Sequence, residues 1–318
     1  MIGSKTYNLL KKRPQVLLLG NGIVYGEGIS WNKLLLAIRK DGGSLEGLWD
    51  GSEESGNPTV PNNIFCDATS IVKDSDRHNA CVKAFNGHQK DNEKSDGKQE
   101  NNLIAQLLSL RPDAVLTTNY TYQIEDQVHP GYSSLKDETK RKYADEGEGR
   151  TKDTRFLIRT CNTFGDESPD IWHIHGELRR KSSLVLTHDE YFREVGAICA
   201  YNSKHGKDYQ DYQEDFRVKS WIDYFMIADI YVVGFRFDFS EFDLWWLLNR
   251  RMRENAKTGN IFFYEMKDPK EYSKICALKQ MKVRAVDLGY EKGKSGYNEF
   301  YETAIADIRK RMGARVFN

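Results

Sequence analysis

The run Asp113-Ala114-Val115-Leu116-Thr117-Thr118-Asn119-Tyr120 decides the fold. Its short apolar core reads as a buried parallel strand, and it breaks off into two hydroxyl side chains and a carboxamide. An open α/β sheet collects its ligand-binding groups there, just outside the carboxyl ends of the strands. A second run, Ile171-Trp172-His173-Ile174-His175-Gly176, has the same form, with an apolar segment running straight into an imidazole and a glycine. Two strand ends then deliver an amide, Asn119, and an imidazole, His175, to one crevice. His173 is assigned to the opposite face of its strand and to a structural role.

Upstream, Gln15 to Leu19 is a β-type run followed by Gly20-Asn21-Gly22-Ile23-Val24-Tyr25-Gly26-Glu27-Gly28 and by helix-compatible spacing over Trp31 to Ile38. Strand, glycine-rich turn and helix form a phosphate-cradling arrangement, because glycine lets the backbone approach and helix N–H groups meet the charge. The third glycine falls one residue late for G-x-G-x-x-G, and no Lys-Ser/Thr pair makes a P-loop. Glycine is also the ordinary residue of tight turns. A helix is expected over Ala68 to Phe85, a mobile polar loop over Gly87 to Glu100, and a helix over Asn101 to Leu110 stopped by Arg111-Pro112.

Downstream, a helix is expected to start within Tyr120 to Val128, with polar insertion or lid material over Pro130 to Arg155 and an edge strand over Thr154 to Thr160. Thr187 caps a helix whose first turn is acidic. Ala200 to Asp215 reads as a linker into a helix ending at Ala228. The strand Asp229 to Phe235, a helix from Ser240, the strand Ile261 to Glu265, a helix near Glu271 to Leu278, the strand Val283 to Leu288 and a helix over Tyr297 to Met312 complete the alternation. Alternation of this kind means a doubly wound parallel α/β sheet. Residues 1–318 form one domain in this reading, with 41–100 and 130–170 as insertions that make a smaller, mostly helical or lid subdomain.

Composition narrows the function classes. With 318 residues the chain can bury a large core. Lys+Arg and Asp+Glu stand at 47 each, so no charge excess argues for nucleic-acid binding. No apolar run spans a bilayer and no signal-peptide pattern opens the chain, which makes a soluble cytoplasmic protein the expectation. The five cysteines lack any C-x-x-C spacing, so neither a zinc knuckle nor a disulfide framework is supported. Cys66 and Cys81 read as small buried hydrophobes. Trp245-Trp246 reads as helix core or an oligomer contact, and Arg250-Arg251-Met252-Arg253 as a solvated helix end.

Taken in order, Gly20-Asn21-Gly22, Thr117-Thr118-Asn119-Tyr120, Ile174-His175-Gly176, Leu184-Val185-Leu186-Thr187-His188-Asp189-Glu190-Tyr191 and Val232-Val233-Gly234-Phe235 resemble the motifs of the sirtuin-like proteins. The resemblance covers roughly Gln15 to Leu288 and is closer to the bacterial NAD-cleaving domains of anti-phage defence than to the protein deacylases. It implies a Rossmann-like crevice holding NAD as substrate, hydrolysed to nicotinamide and ADP-ribose, with no metal. Asn119 would position water and the ribose hydroxyls, and His175 would accept a proton. Gly20, Asn21 and Gly22, with Tyr25 and Thr118, would hold the cofactor near its diphosphate. Gly234 and Phe235 would border the adenosine, and Glu265 would reach the adenosine ribose.

The chain departs from the family pattern at named places. Asn21 stands where the family has alanine, Val24 where it has serine, and Thr121 where an acid is frequent. The two C-x-x-C pairs of the deacylases have no counterpart, which weighs against deacylation. Activity that depletes NAD must be held in check, so control by self-assembly or by a partner protein is expected. The alternatives are a module that binds NAD or a derivative without cleaving it, and an NAD-dependent deacylase.

Overall fold

Residues 5–24, 29–40, 44–53, 55–92, 102–146, 158–206, 216–253 and 258–313 are described by the computed structural model. They contain the strands β1 (Thr6–Tyr7), β2 (Gln15–Leu19), β3 (Trp49–Asp50), β4 (Asn57–Pro58), β5 (Ala114–Thr117), β6 (Ala144–Glu146), β7 (Thr160–Asn162), β8 (Asp170–His173), β9 (Phe216–Arg217), β10 (Asp229–Val233), β11 (Ile261–Tyr264) and β12 (Val283–Val286). Eight of these make one sheet in the order β12-β11-β10-β2-β5-β8-β7-β6. From β12 to β8 every pairing is parallel, and β7 and β6 continue the edge antiparallel. Numbered along the chain, the six parallel strands read 3-2-1-4-5-6, the dinucleotide-binding order, which reverses between β2 and β10.

Burial on both faces explains why β2, β5 and β10 are continuous apolar runs rather than alternating ones. On one face Leu18, Leu116, Trp172 and Val232 pack with the helices Trp221–Ile227 and Phe242–Arg253. On the other, Leu17, Val115, Ile171 and Tyr231 pack with Asn102–Leu108, Gln123–Val128 and Tyr297–Gly313. Register then fixes the position of the site. Val233 pairs with Leu19, Leu19 with Thr117, and Thr117 with His173. Four strand ends are therefore level, and Gly234, Gly20, Thr118 and Ile174 leave the sheet along one line.

Several local expectations are corrected. The helix expected over 68–85 is two helices, Asn62–Thr69 and Asp74–Asn92, and the second passes through Gly87 where a loop was expected. A lone glycine in a helix costs only ~1 kcal/mol against alanine and does not by itself end one. The helix His188–His205 likewise runs through Ala200, because Tyr201 is buried and donates its hydroxyl to both oxygens of Asp223 at 2.9 and 2.8 Å. Its neighbour starts at Trp221, where Ser220 and Asp223 form a capping box. The described part of 130–170 forms the short helices Tyr132–Ser134 and Asp137–Lys140 and supplies β6 and β7 to the sheet edge. The expected edge strand at 154–160 overlaps β7 only at Thr160, and 154–157 lie outside the described residues. A third apolar cluster gathers Leu34, Leu35, Ile38, Phe65, Cys66 and Cys81 from the helices between β2 and β5. Burial pushes both cysteine thiols up, Cys81 to about 12, so they are inert apolar residues.

Candidate functional site

Asn119 stands two residues beyond β5 and is nearly buried. Its N–H donates to Thr117 Oγ1 at 3.1 Å, while that hydroxyl donates to Leu19 O at 2.9 Å. Its carbonyl accepts from His173 Nδ1 at 2.6 Å. The side-chain Nδ2 reaches Gly20 O at 3.4 Å, across the gap between the ends of β5 and β2. Backbone and strand ends thus hold the residue, and the carboxamide faces a cavity of about 610 Å³. That volume suits a small-molecule ligand.

His175 lines the same cavity. The two side chains that sequence alone brings to one crevice do share one. His175 lies past the end of β8, where Gly176 turns the chain at φ 96°. A side chain at 176 would meet Ser183 O at 2.2 Å, so only glycine allows this approach. The imidazole enters a nest of acids. Its Nε2 donates to Asp243 Oδ2 at 3.0 Å, Nδ1 lies 3.6 Å from Glu241 Oε2, and Tyr191 packs edge-on with ring centroids 5.5 Å apart. Burial favours the neutral ring, yet Asp243 and Glu241 outweigh it and hold the pKa up at about 10. At neutral pH His175 is therefore an imidazolium, a donor at both nitrogens.

Those acids are the residues that sequence reading missed. Burial pushes Glu241 up, His175 pulls it down and Asp243 pushes it up again, leaving it at about 7, with Tyr191 donating to its Oε2 at 2.8 Å. Burial and Asp243 push Glu194 well above the carboxylate range, against the pull of His175. Asp238-Phe239-Ser240-Glu241-Phe242-Asp243 carried a signal, three acids at a helix start beside a glycine-ended strand. That pattern also fits the ordinary complement to a helix dipole. Ligand atoms of His175, Glu194 and Asp243 lie within 4.8 Å of one another, the grouping among the described residues whose donors could take a cation. Nε2 is already occupied by Asp243.

The remaining expected residues fall into two groups. Asn21, Gly22, Thr118, Gly234 and Phe235 line the cavity. Gly20 does not: a Cβ there would meet Gly234 O at 2.4 Å, so it joins two turns back to back, with Gly22 N–H donating to Gly234 O at 2.9 Å. Glu265 follows β11 outside the cavity lining, raised by burial and held in check by Arg236, which does line it. Tyr25 lies outside the described residues. Val24 is buried, and the helix beyond the glycine turn begins at Trp31, as expected, with Ser30 Oγ accepting Lys33 N–H. His173 faces away from His175, but not by strand alternation, which would put residues two apart on one face. The strand ends at His173, and the chain turns before His175. Arg251, expected in solvent, is buried and donates to the Phe225 and Ala228 carbonyls.

A family model described as a SIR2-like domain matches residues 113–285. No curated protein matches the chain.

Proposed function

Since the chain belongs to the SIR2-like family, whose model spans just over half of its 318 residues, we propose that it hydrolyses NAD, releasing nicotinamide and ADP-ribose. SIR2-like domains use NAD as substrate or cofactor, which makes NAD the ligand class of the cavity. The observation that carries the reading is the shared cavity of Asn119 and His175 at the point where the strand order reverses.

Cleavage of the bond between nicotinamide and C1′ of its ribose returns the bonding electrons to the pyridinium nitrogen and leaves positive charge on C1′ and the ring oxygen. Water then adds to C1′ and its proton passes to the carboxylate of Glu241, which lines the cavity. Asn119 offers a neutral donor and acceptor to that water and to the ribose hydroxyls. Asp238 and Glu241 line the cavity, and their carboxylates favour the charge developing on the sugar. His175, which lines the cavity with Asp243 bonded to its Nε2, handles the proton of the ribose hydroxyls in this scheme. Among the described lining residues Arg236 is the one arginine or lysine, and it is suited to the diphosphate. Depletion of NAD in a bacterial anti-phage response, with restraint by self-assembly or a partner protein, is the cellular role we attach to this chemistry.

A second reading has one observation in its favour. His175 Nε2 is already taken up by Asp243 at 3.0 Å, so the same cavity would suit a module that binds NAD without cleaving it. Purified protein incubated with NAD and followed for nicotinamide separates the two. Release is expected, falling on the order of 10²-fold or more in Asn119→Ala and in His175→Ala. Calorimetric NAD binding without release would overturn hydrolysis in favour of sensing. Release that requires an acylated peptide would instead mean deacylation.

A further inference from the structure

We propose that His173, backed by Glu125, is a positioning residue that fixes Asn119 for its work on the ribose, so that both histidines of the Ile171–Gly176 run serve one site. The inference rests on the NAD-cleavage reading for its chemistry. Asn119 lies outside regular structure, and nothing in a strand ladder would hold it. Its carbonyl is nevertheless held at 2.6 Å by His173 Nδ1, and His173 Nε2 donates to Glu125 Oε1 at 2.7 Å. A neutral ring has a single N–H and could serve only one of these acceptors. Glu125 is fixed in turn by Asn162 Nδ2 at 2.8 Å, from β7. The opposite end of the same residue, its N–H, is held by Thr117 Oγ1.

Two side chains therefore clamp the backbone of Asn119 from either end, and its carboxamide is the part left to face the cavity. A residue with both backbone groups fixed cannot rotate its peptide planes without breaking one of these bonds. Burying the pair costs solvation: the side chains are 2 % and 0 % exposed, and apolar residues of similar size would often fill such a place at no loss of stability. Placement of the carboxamide explains why a charged pair stands there. Catalysis is sensitive to it, since misplacement by about 1 Å can cost on the order of 10²-fold in rate.

His173→Phe keeps the volume and removes both donors. It should lower kcat for nicotinamide release on the order of 10²-fold while KM for NAD changes little, the pattern of an interaction realised at the transition state. In an Asn119→Ala background the same change should cost little more, because its route to the chemistry is gone. Glu125→Gln keeps an acceptor for Nε2 and should fall between wild type and His173→Phe, and it carries the test if the phenylalanine variant does not fold. Unchanged kcat per folded molecule, or full additivity with Asn119→Ala, would overturn the clamp. If the wild-type chain binds NAD but releases no nicotinamide, the hydrolase reading falls alone, and the same cycle is read as calorimetric NAD affinity, where additivity again sinks the clamp. A chain that does not bind NAD overturns both.

Discussion

His173 and His175 are two residues apart in sequence and belong to opposite kinds of surroundings. His173 has one carboxylate in direct contact, Glu125, and one carbonyl, so each nitrogen has a single fixed partner. His175 has Asp243 bonded at 3.0 Å, Glu241 at 3.6 Å and Glu194 close behind, an excess of acid over base. Both rings are held cationic against burial, at about 9 and about 10. The first arrangement is matched in charge and fits holding something still. The second gathers three acids around one ring, and Asp243 Oδ1 and Glu194 Oε2 are among the buried oxygens without a hydrogen-bond partner, as Glu125 Oε2 is in the first. Crowding several acids around one ring is a cost that a structural ion pair would avoid, and a site facing a developing positive charge can use it.

The largest effect expected from this contrast is on stability. Glu125→Ala leaves His173 without its bonded carboxylate in a fully buried place and should cost on the order of 3–5 kcal/mol in urea unfolding. Asp243→Ala removes the carboxylate bonded to His175, but Glu241 remains near and one acid–acid repulsion disappears, so the loss should be nearer ~1–3 kcal/mol. Equal losses would mean that the second nest has no redundancy, and the contrast would break.

How much of this was legible in the sequence follows from range. The parallel strands and their level ends follow from apolar runs bounded by Gly, Thr and Asn, and Asn119 and His175 stand at those ends, so local pattern was enough to find them. Partners of the histidines were not accessible in the same way. Glu125 lies 48 residues from His173 and Asp243 lies 68 from His175, on short helix starts where an acid is already expected to complement the dipole. A residue that satisfies a local rule gives no sign of a distant duty. The helix through Ala200 shows the reverse case, in which burial of Tyr201 carries a helix into a polar, tyrosine-rich stretch that reads as a linker.

pH sharpens the contrast next. Both histidines have folded pKa values above the ordinary 6.5, so their stabilising contribution is complete below pH 6.5 and is lost as pH rises through about 9 for His173 and about 10 for His175. Glu241, raised to about 7, adds a loss of its own between pH 4.5 and 7, because the unfolded chain releases that proton first. The melting temperature should therefore fall from pH 6.5 to 10, with one group worth at most ~1.4 kcal/mol per unit. Glu125→Gln should remove the part centred on the lower step and leave the upper one, and Asp243→Asn should do the converse. A melting curve flat across this range in the wild type would show that neither ring is charged in the folded state.

The smallest effect concerns the scaffolds that carry the two sets of acids. Glu125 rides on the six-residue helix Gln123–Val128, which has no side-chain cap and depends on packing and on Asn162 to stay in place. Glu194 rides on the eighteen-residue helix His188–His205, whose start is locked by a capping box between Thr187 and Glu190. Glu190 goes further than a cap requires. Its Oε2 accepts the N–H groups of Leu186 and Thr187 at 2.8 and 2.9 Å, and its Oε1 accepts from Arg77 and His78 at 2.8 Å each, tying in the helix Asp74–Asn92. These partners outweigh burial and bring its carboxyl down to about 2. Thr187→Ala removes one of several bonds at that start and should cost ~1 kcal/mol in urea unfolding. A loss several times larger would mean that the Glu190 contacts fail together with the cap, and the second scaffold would then be as dependent on a single partner as the first.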